Sequence, residues 1–237
     1  MLRVFSLLLI IATTAPVIAQ ESEREVSAAF YAFKYAEGLK VVYLRTGENS
    51  YEPIALSTAN MVGPIKARVT GGNLSLHSRA SNEEGKTAYP KVGSVKVPDG
   101  ISKVLIILAP RTKTNIPSYQ TLLVDRGETN FQPGSYKLIN LSPYPIRGAI
   151  GRGTRFLCNN GKISTFKTKG TPGQALPVLF QYQKNDRWQR LTETRWAHSK
   201  NKRTLLCAYF DRSSRRMRLR SIPDNIARNQ PKAVADD

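Results

Sequence analysis

Apolar residues in this chain come in short bursts, and each burst runs into turn-forming residues. Segments 30–35, 40–45, 65–69, 74–77, 104–109 and 119–124 are apolar or alternate apolar with polar. The same holds for 136–141, 146–150, 155–157, 163–167, 177–183, 188–196, 204–210 and 217–222. Between them stand Gly71-Gly72, Asn160-Gly161, Asn185-Asp186 and the polar stretch 211–214, residues that supply hairpin turns. Only 21–36, with Val26, Phe30 and Phe33, also fits a helical face. Hydrophobic residues make up 41% of the 237, enough for a packed core. The pattern predicts an all-β protein: two tandem antiparallel β-sandwich (Ig-like) units, with one larger sandwich as the alternative.

An internal repeat favours two units. Ile54-Ala-Leu56-Ser57 resembles Ile139-Asn-Leu141-Ser142, and Pro64-Ile65-Lys66 resembles Pro145-Ile146-Arg147. Further on, the strand that begins at Lys103 resembles the one at Lys202. The strand that ends at Asp125 resembles the one that ends at Asp224. The units would cover 20–126 and 134–224, divided where Gly127 and Pro133-Gly134 break the pattern. Residues 225–237 read as a disordered tail.

Residues 1–19 read as a secretory signal peptide. Arg3 is the positive start, 4–12 the apolar stretch, and Val17-Ile18-Ala19 the cleavage site. No apolar run reaches the roughly 18–20 residues of a membrane span. The chain is thus expected outside the cytoplasm: periplasmic, at the cell surface or extracellular. An oxidising compartment lets disulfides persist. Cys158 and Cys207 are then either a bridge or two buried free thiols acting as small hydrophobes.

Tyr136-Lys-Leu-Ile-Asn-Leu-Ser-Pro143 resembles a recurrent opening in exported bacterial β-sandwich domains of unknown function. In those, a strand runs into Asn-x-Ser-Pro. The resemblance implies the fold class and brings no activity with it.

Signals for catalysis are weak. His77 and His198 are the only imidazoles, and no Gly-x-Ser-x-Gly elbow exists. The two cysteines make no Cys-x-x-Cys pair, and no metal or cofactor is expected. Gly148, Gly151 and Gly153 lead into a hairpin and not a helix, so they read as turn and bulge glycines.

Charge is the stronger clue. The formal net charge is +19, and residues 126–237 hold 22 basic residues against 7 acidic ones. Residues 184–220 alone hold 12 against 3. Arg216, Arg218 and Arg220 alternate with Met217, Leu219 and Ser221, and alternate strand residues share a face. An outward arginine row above an apolar inner face is expected, able to pair with phosphate, carboxylate or sulfate. The competing reading is a solubilising face. Trp188, Arg190 and Trp196 have the same parity and could stack on sugar rings, or the two Trp could be core.

The expected function is a non-catalytic secreted or envelope-associated module. Its basic second half would touch an anionic polysaccharide, lipopolysaccharide or an anionic membrane surface. Export makes nucleic acid a poor physiological partner, although the same charge would bind it. A structural or assembly role through contact with other envelope proteins is the alternative, and an envelope hydrolase the third.

Overall fold

The computed structural model describes residues 23–225 apart from 48, 83, 112–115 and 212. The expected signal peptide, 1–19, and the expected tail from 226 onward lie outside the described residues.

The described chain is all-β. The first half contains β1 (Glu23–Ala32), β2 (Val41–Arg45), β3 (Tyr51–Ala55), β4 (Val62–Thr70) and β5 (Asn73–His77). A small two-stranded excursion follows, β6 (Ala80–Ser81) with β7 (Thr87–Ala88). Then come β8 (Lys91–Lys96), β9 (Lys103–Pro110) and β10 (Tyr119–Asp125). The second half contains β11 (Ser135–Asn140), β12 (Ile146–Ile150), β13 (Thr154–Cys158) and β14 (Ile163–Lys167). It ends with β15 (Ala175–Lys184), β16 (Arg187–Ala197), β17 (Lys202–Asp211) and β18 (Arg216–Asn225). Within segment 21–36, residues Glu23–Ala32 form the strand β1 and no helix. A helix would present one apolar stripe, whereas Ala28 to Ala32 are buried on every side.

The two halves pair their strands in the same order. One layer of the first half runs β4-β1-β9-β10, and the matching layer of the second runs β14-β11-β17-β18. The other layers run β3-β2-β5-β8 and β13-β12-β15-β16. In the first half a single pair, Thr70 with Asn73, carries the ladder round the corner between layers. Among the described residues, no ladder joins a strand of one half to a strand of the other.

Pairing is not purely antiparallel. β1 runs parallel to β9, and β11 to β17. Parallel pairs favour burial on both faces, and these four strands are the most deeply buried in the chain. Three cores explain why. Ala28, Phe30, Val104, Ile106 and Leu108 face the core inside the first half. Leu138, Leu206 and Ala208 face the core inside the second. The alternate residues Ala29, Tyr31, Leu105, Ile107, Ile139, Leu205 and Cys207 meet in a third core between the halves. Four sheet layers are thus stacked around three apolar seams.

This stacking corrects the repeat as read from sequence. Ile54 lies on β3 but Ile139 on β11, and Ile65 lies on β4 but Ile146 on β12. Those matches join strands that are not equivalent. The matches of β9 with β17 and β10 with β18 join equivalent strands but are one residue out. They set Val104, which faces its own half's core, against Arg203, which faces the seam. A one-residue slip moves every side chain to the other face. The consistent register sets Ile106 with Leu206 and Leu108 with Ala208.

The Asn-x-Ser-Pro motif has a structural role. The Asn140 side-chain amide is buried and donates to the carbonyls of Tyr144 and Cys158. Its carbonyl oxygen accepts from the Ser142 backbone N–H and hydroxyl. The motif thereby ties β11 to the turn before β12. Gly148 faces inward on β12, where any Cβ would lie 2.2 Å from the Phe156 ring.

Candidate functional site: the seam between the halves

The seam differs at its two ends. Near the linker it is closed. Asp224 at the end of β18 receives the Arg126 guanidinium at 2.6 and 3.1 Å and Arg203 Nε at 2.7 Å. All three side chains are less than a tenth exposed. Arg203 also donates to the carbonyls of Arg126 and Phe131. The Phe131 ring sits between the Arg203 guanidinium, 5.0 Å from its centroid, and the Lys137 ammonium at 4.9 Å. Lys137 donates to the Asp125 carbonyl, and burial lowers its pKa from the usual lysine range. Asn225, assigned to the tail by the sequence reading, is the last residue of β18. Residues up to Asn225 belong to β18, because Asp224 is the counter-ion of the joint.

At the other end the two middle sheets part, leaving a cleft of about 590 Å³. Phe33, Ile107, Ala109 and Leu122 line one wall, and Leu141 and Tyr209 the other. Lys34, Asp211 and Arg220 add charge. Phe33 packs edge-on against both Tyr31 and Tyr209. Such an apolar concavity with a few convergent polar groups is the usual form of a ligand site.

The arginine row meets this cleft at Arg220. Residues 216, 218, 220, 222 and 224 share the seam face of β18, since Ile222 lies in the seam core. Arg220 is half-buried, not on a free outer face. Its Nη1 donates to the Phe33 carbonyl at 3.1 Å and reaches the Tyr31 hydroxyl at 3.4 Å. Its guanidinium lies 5.2 Å from the Phe33 ring centroid and 5.9 Å from that of Tyr209. Nε and Nη2 have no hydrogen-bond partner among the described residues. Arg218 and Arg216 continue the row outward and are exposed. Met217 and Leu219 turn the opposite way, onto the second half's core, and are partly buried.

Asp211 sits 3.8 Å from Arg218 Nε. Hydrogen bonds from Ser213 and Ser214 hold its carboxyl down to about 2. It stays ionised at neutral pH, and among the described residues it is the one carboxylate lining the cleft. Burial raises the Tyr31 hydroxyl, with Arg220 opposing.

The remaining predicted residues do not gather here. Trp196 packs onto the second half's core, stacked on Tyr136 at 5.3 Å and beside Phe180. Trp188 faces outward, under the Arg147 guanidinium at 4.3 Å. The two Trp have opposite faces because β16 carries a bulge: Phe180 pairs with Thr192 but Gln181 with Arg190. The extra residue, Leu191, reverses the alternation. Arg190 shares the outer face with Trp188 and pairs with Glu193.

Of the two readings open for the cysteines, the structure takes the second. Both thiols are free and buried. Cys207 belongs to the seam core and Cys158 to the core inside the second half, on opposite faces of the sheet that contains β17. Burial pushes the Cys207 thiol up to about 12.

His198 is buried with its Nδ1 3.0 Å from the Thr168 hydroxyl. His77 lies on the outer face of the first half. Among the described residues no cluster of three His, Cys, Asp or Glu could hold a metal ion, and no helix is long and apolar enough to cross a membrane.

No known family model matches the chain, and no curated protein is similar to it in sequence. The site therefore stands on its own geometry.

Proposed function

We propose that this is an exported envelope module that binds an anionic amphiphile without catalysis. The ligand class is that of anionic phospholipid or the lipid portion of lipopolysaccharide. The acyl portion enters the cleft between Phe33, Leu122 and Tyr209, and the headgroup meets Arg220, Arg218, Arg216 and Lys34. The observation that carries this reading is an apolar cleft whose rim is cationic. An acidic polymer alone would have no use for the apolar walls, and an uncharged lipid no use for the arginine row. The unpartnered Nε–Nη2 edge of Arg220 suits a phosphate oxygen pair.

Calorimetric titration with dihexanoyl phosphatidylglycerol below its micellar concentration tests this. The phosphatidylcholine counterpart is the control. The anionic lipid should bind better, and Arg218→Gln/Arg220→Gln should weaken it about tenfold or more. Added salt should weaken the contribution of the exposed Arg216 and Arg218. Equal binding of the two lipids, or an unaffected double variant, would contradict the reading.

A further inference from the structure

A second concavity lies on the outer face of the first half, away from the seam. It encloses about 650 Å³ and is lined by Arg45, Tyr51, Arg68, Asn73, Ser75, His77, Tyr89 and Lys91, with Thr70 and Ser94. Strand alternation explains its chemistry. Leu74 and Leu76 of β5 point into the core, so Asn73, Ser75 and His77 point out. The neighbouring strands set Tyr43 and Lys91 opposite His77, and Ser94 opposite Ser75. The floor is therefore hydroxyl and amide, and the rim is cationic.

The aromatic side of the basin is held rigidly. His77 Nδ1 lies 2.8 Å from the Tyr89 carbonyl. A carbonyl only accepts, so Nδ1 carries the proton and Nε2 is left as an acceptor in the neutral ring. Tyr51 stacks on Tyr89 at 4.0 Å with ring planes 9° apart, and meets His77 edge-on at 5.1 Å. Tyr43 meets Tyr89 edge-on. Arg68 is shared with Glu23, whereas Lys91 has no ion-pair partner among the described residues and is exposed.

We propose that this basin is a binding site for an acidic oligosaccharide, carrying carboxylate or sulfate groups. Lys91 and Arg68 receive the anionic groups, and the Asn73, Ser75 and Ser94 side chains with His77 Nε2 receive sugar hydroxyls. A single-stranded nucleic acid fits the same charge less well. Nucleic-acid sites stack successive bases on open ring faces, and Tyr51 and Tyr89 cover each other. The site is independent of the seam cleft: its residues lie on the first half alone, and its ligand needs no acyl chain.

The test uses the full chain with three probes: a polygalacturonate oligomer, a heparin-derived oligomer and an oligothymidylate of similar charge. A neutral dextran oligomer is the control. At least one acidic saccharide should bind better than both dextran and oligothymidylate. Lys91→Gln should weaken it about tenfold, the scale of one charge-assisted hydrogen bond, and His77→Ala about fivefold, the scale of a neutral one. Arg220→Gln should leave it unchanged, which separates this site from the seam cleft. Thermal melting of each variant checks that the fold is retained, and Lys91→Arg should restore binding. Binding lost equally with Arg220→Gln, preference for oligothymidylate, or no saccharide binding would each overturn the proposal.

Discussion

The two ends of the seam use the same residue types for opposite purposes. At the closed end, Arg126 and Arg203 are buried around Asp224, and the Phe131 ring fills the space beside them. At the open end, Arg220 lies against the rings of Phe33 and Tyr209, but among the described residues no carboxylate pairs with it and its Nε and Nη2 are unengaged. The difference lies in what is left over. A buried cation must be paired, because an uncompensated charge out of water costs several kcal/mol. A cation at a cleft mouth can remain solvated and wait for an anion. The closed end therefore fixes how the halves meet, and the open end keeps its chemistry for a ligand.

Substitutions can break this contrast, and the largest effect is expected at Asp224. Asp224→Ala leaves two guanidinium groups buried without a counter-ion and should cost about 3–5 kcal/mol. Urea unfolding measures it. A loss below about 1 kcal/mol, the level of exposed pairs, would mean that water already screens the joint. Phe131→Ala comes next, at about 3 kcal/mol or somewhat more. Because Phe131 and Asp224 both contact Arg203, the double variant should cost less or more than the sum of the two. Additive losses in the same unfolding assay would show that the two act separately.

Cys207 gives a smaller, pH-dependent effect. Its folded thiol is pushed up to about 12 from an ordinary value of 9.0. A raised folded value means that the unfolded chain ionises first. Its contribution is therefore complete below pH 9 and is lost as pH rises from there toward 12. Urea midpoints should fall between about pH 9 and 12, and should fall less in Cys207→Ala. At pH 8, both cysteines should resist alkylation while folded and react once unfolded.

The smallest stability effects belong to the open end. Arg220→Gln loses the hydrogen bond to the Phe33 carbonyl and the longer one to the Tyr31 hydroxyl, and should cost about 1 kcal/mol. Arg216→Gln, fully outward, should stay within about 0.5 kcal/mol. A melt that shows Arg216 costing as much as Arg220 would mean that the row is buried along its whole length.

The strand content was legible because turn formers bracket almost every apolar segment. The doubled burial of β1 and β9 was not. A run such as Val104 to Leu108 reads simply as apolar, with no sign that alternate residues serve different cores. The arginine row was visible as Arg216, Arg218 and Arg220, but its opposite wall comes from Phe33, Ile107 and Leu122, far away in sequence. Local alternation cannot report a neighbour supplied by the other half. The Trp188–Trp196 pairing failed for a local reason: the bulge at Leu191 leaves no composition signal and reverses every face beyond it. The Asp224 joint was not legible because its partners, Arg126 and Arg203, stand on other segments of the chain, and nothing local marks Asp224 as paired.

The most direct test of the cleft is a map of where an anionic amphiphile lands. Backbone amide shifts of isotopically labelled protein would be followed during titration with dihexanoyl phosphatidylglycerol. The account predicts that the largest shifts fall on Phe33, Lys34, Leu122, Leu141, Tyr209 and Arg220. Shifts concentrated around Arg45 and Lys91, or around Arg147 and Trp188, with the seam residues unmoved, would contradict it.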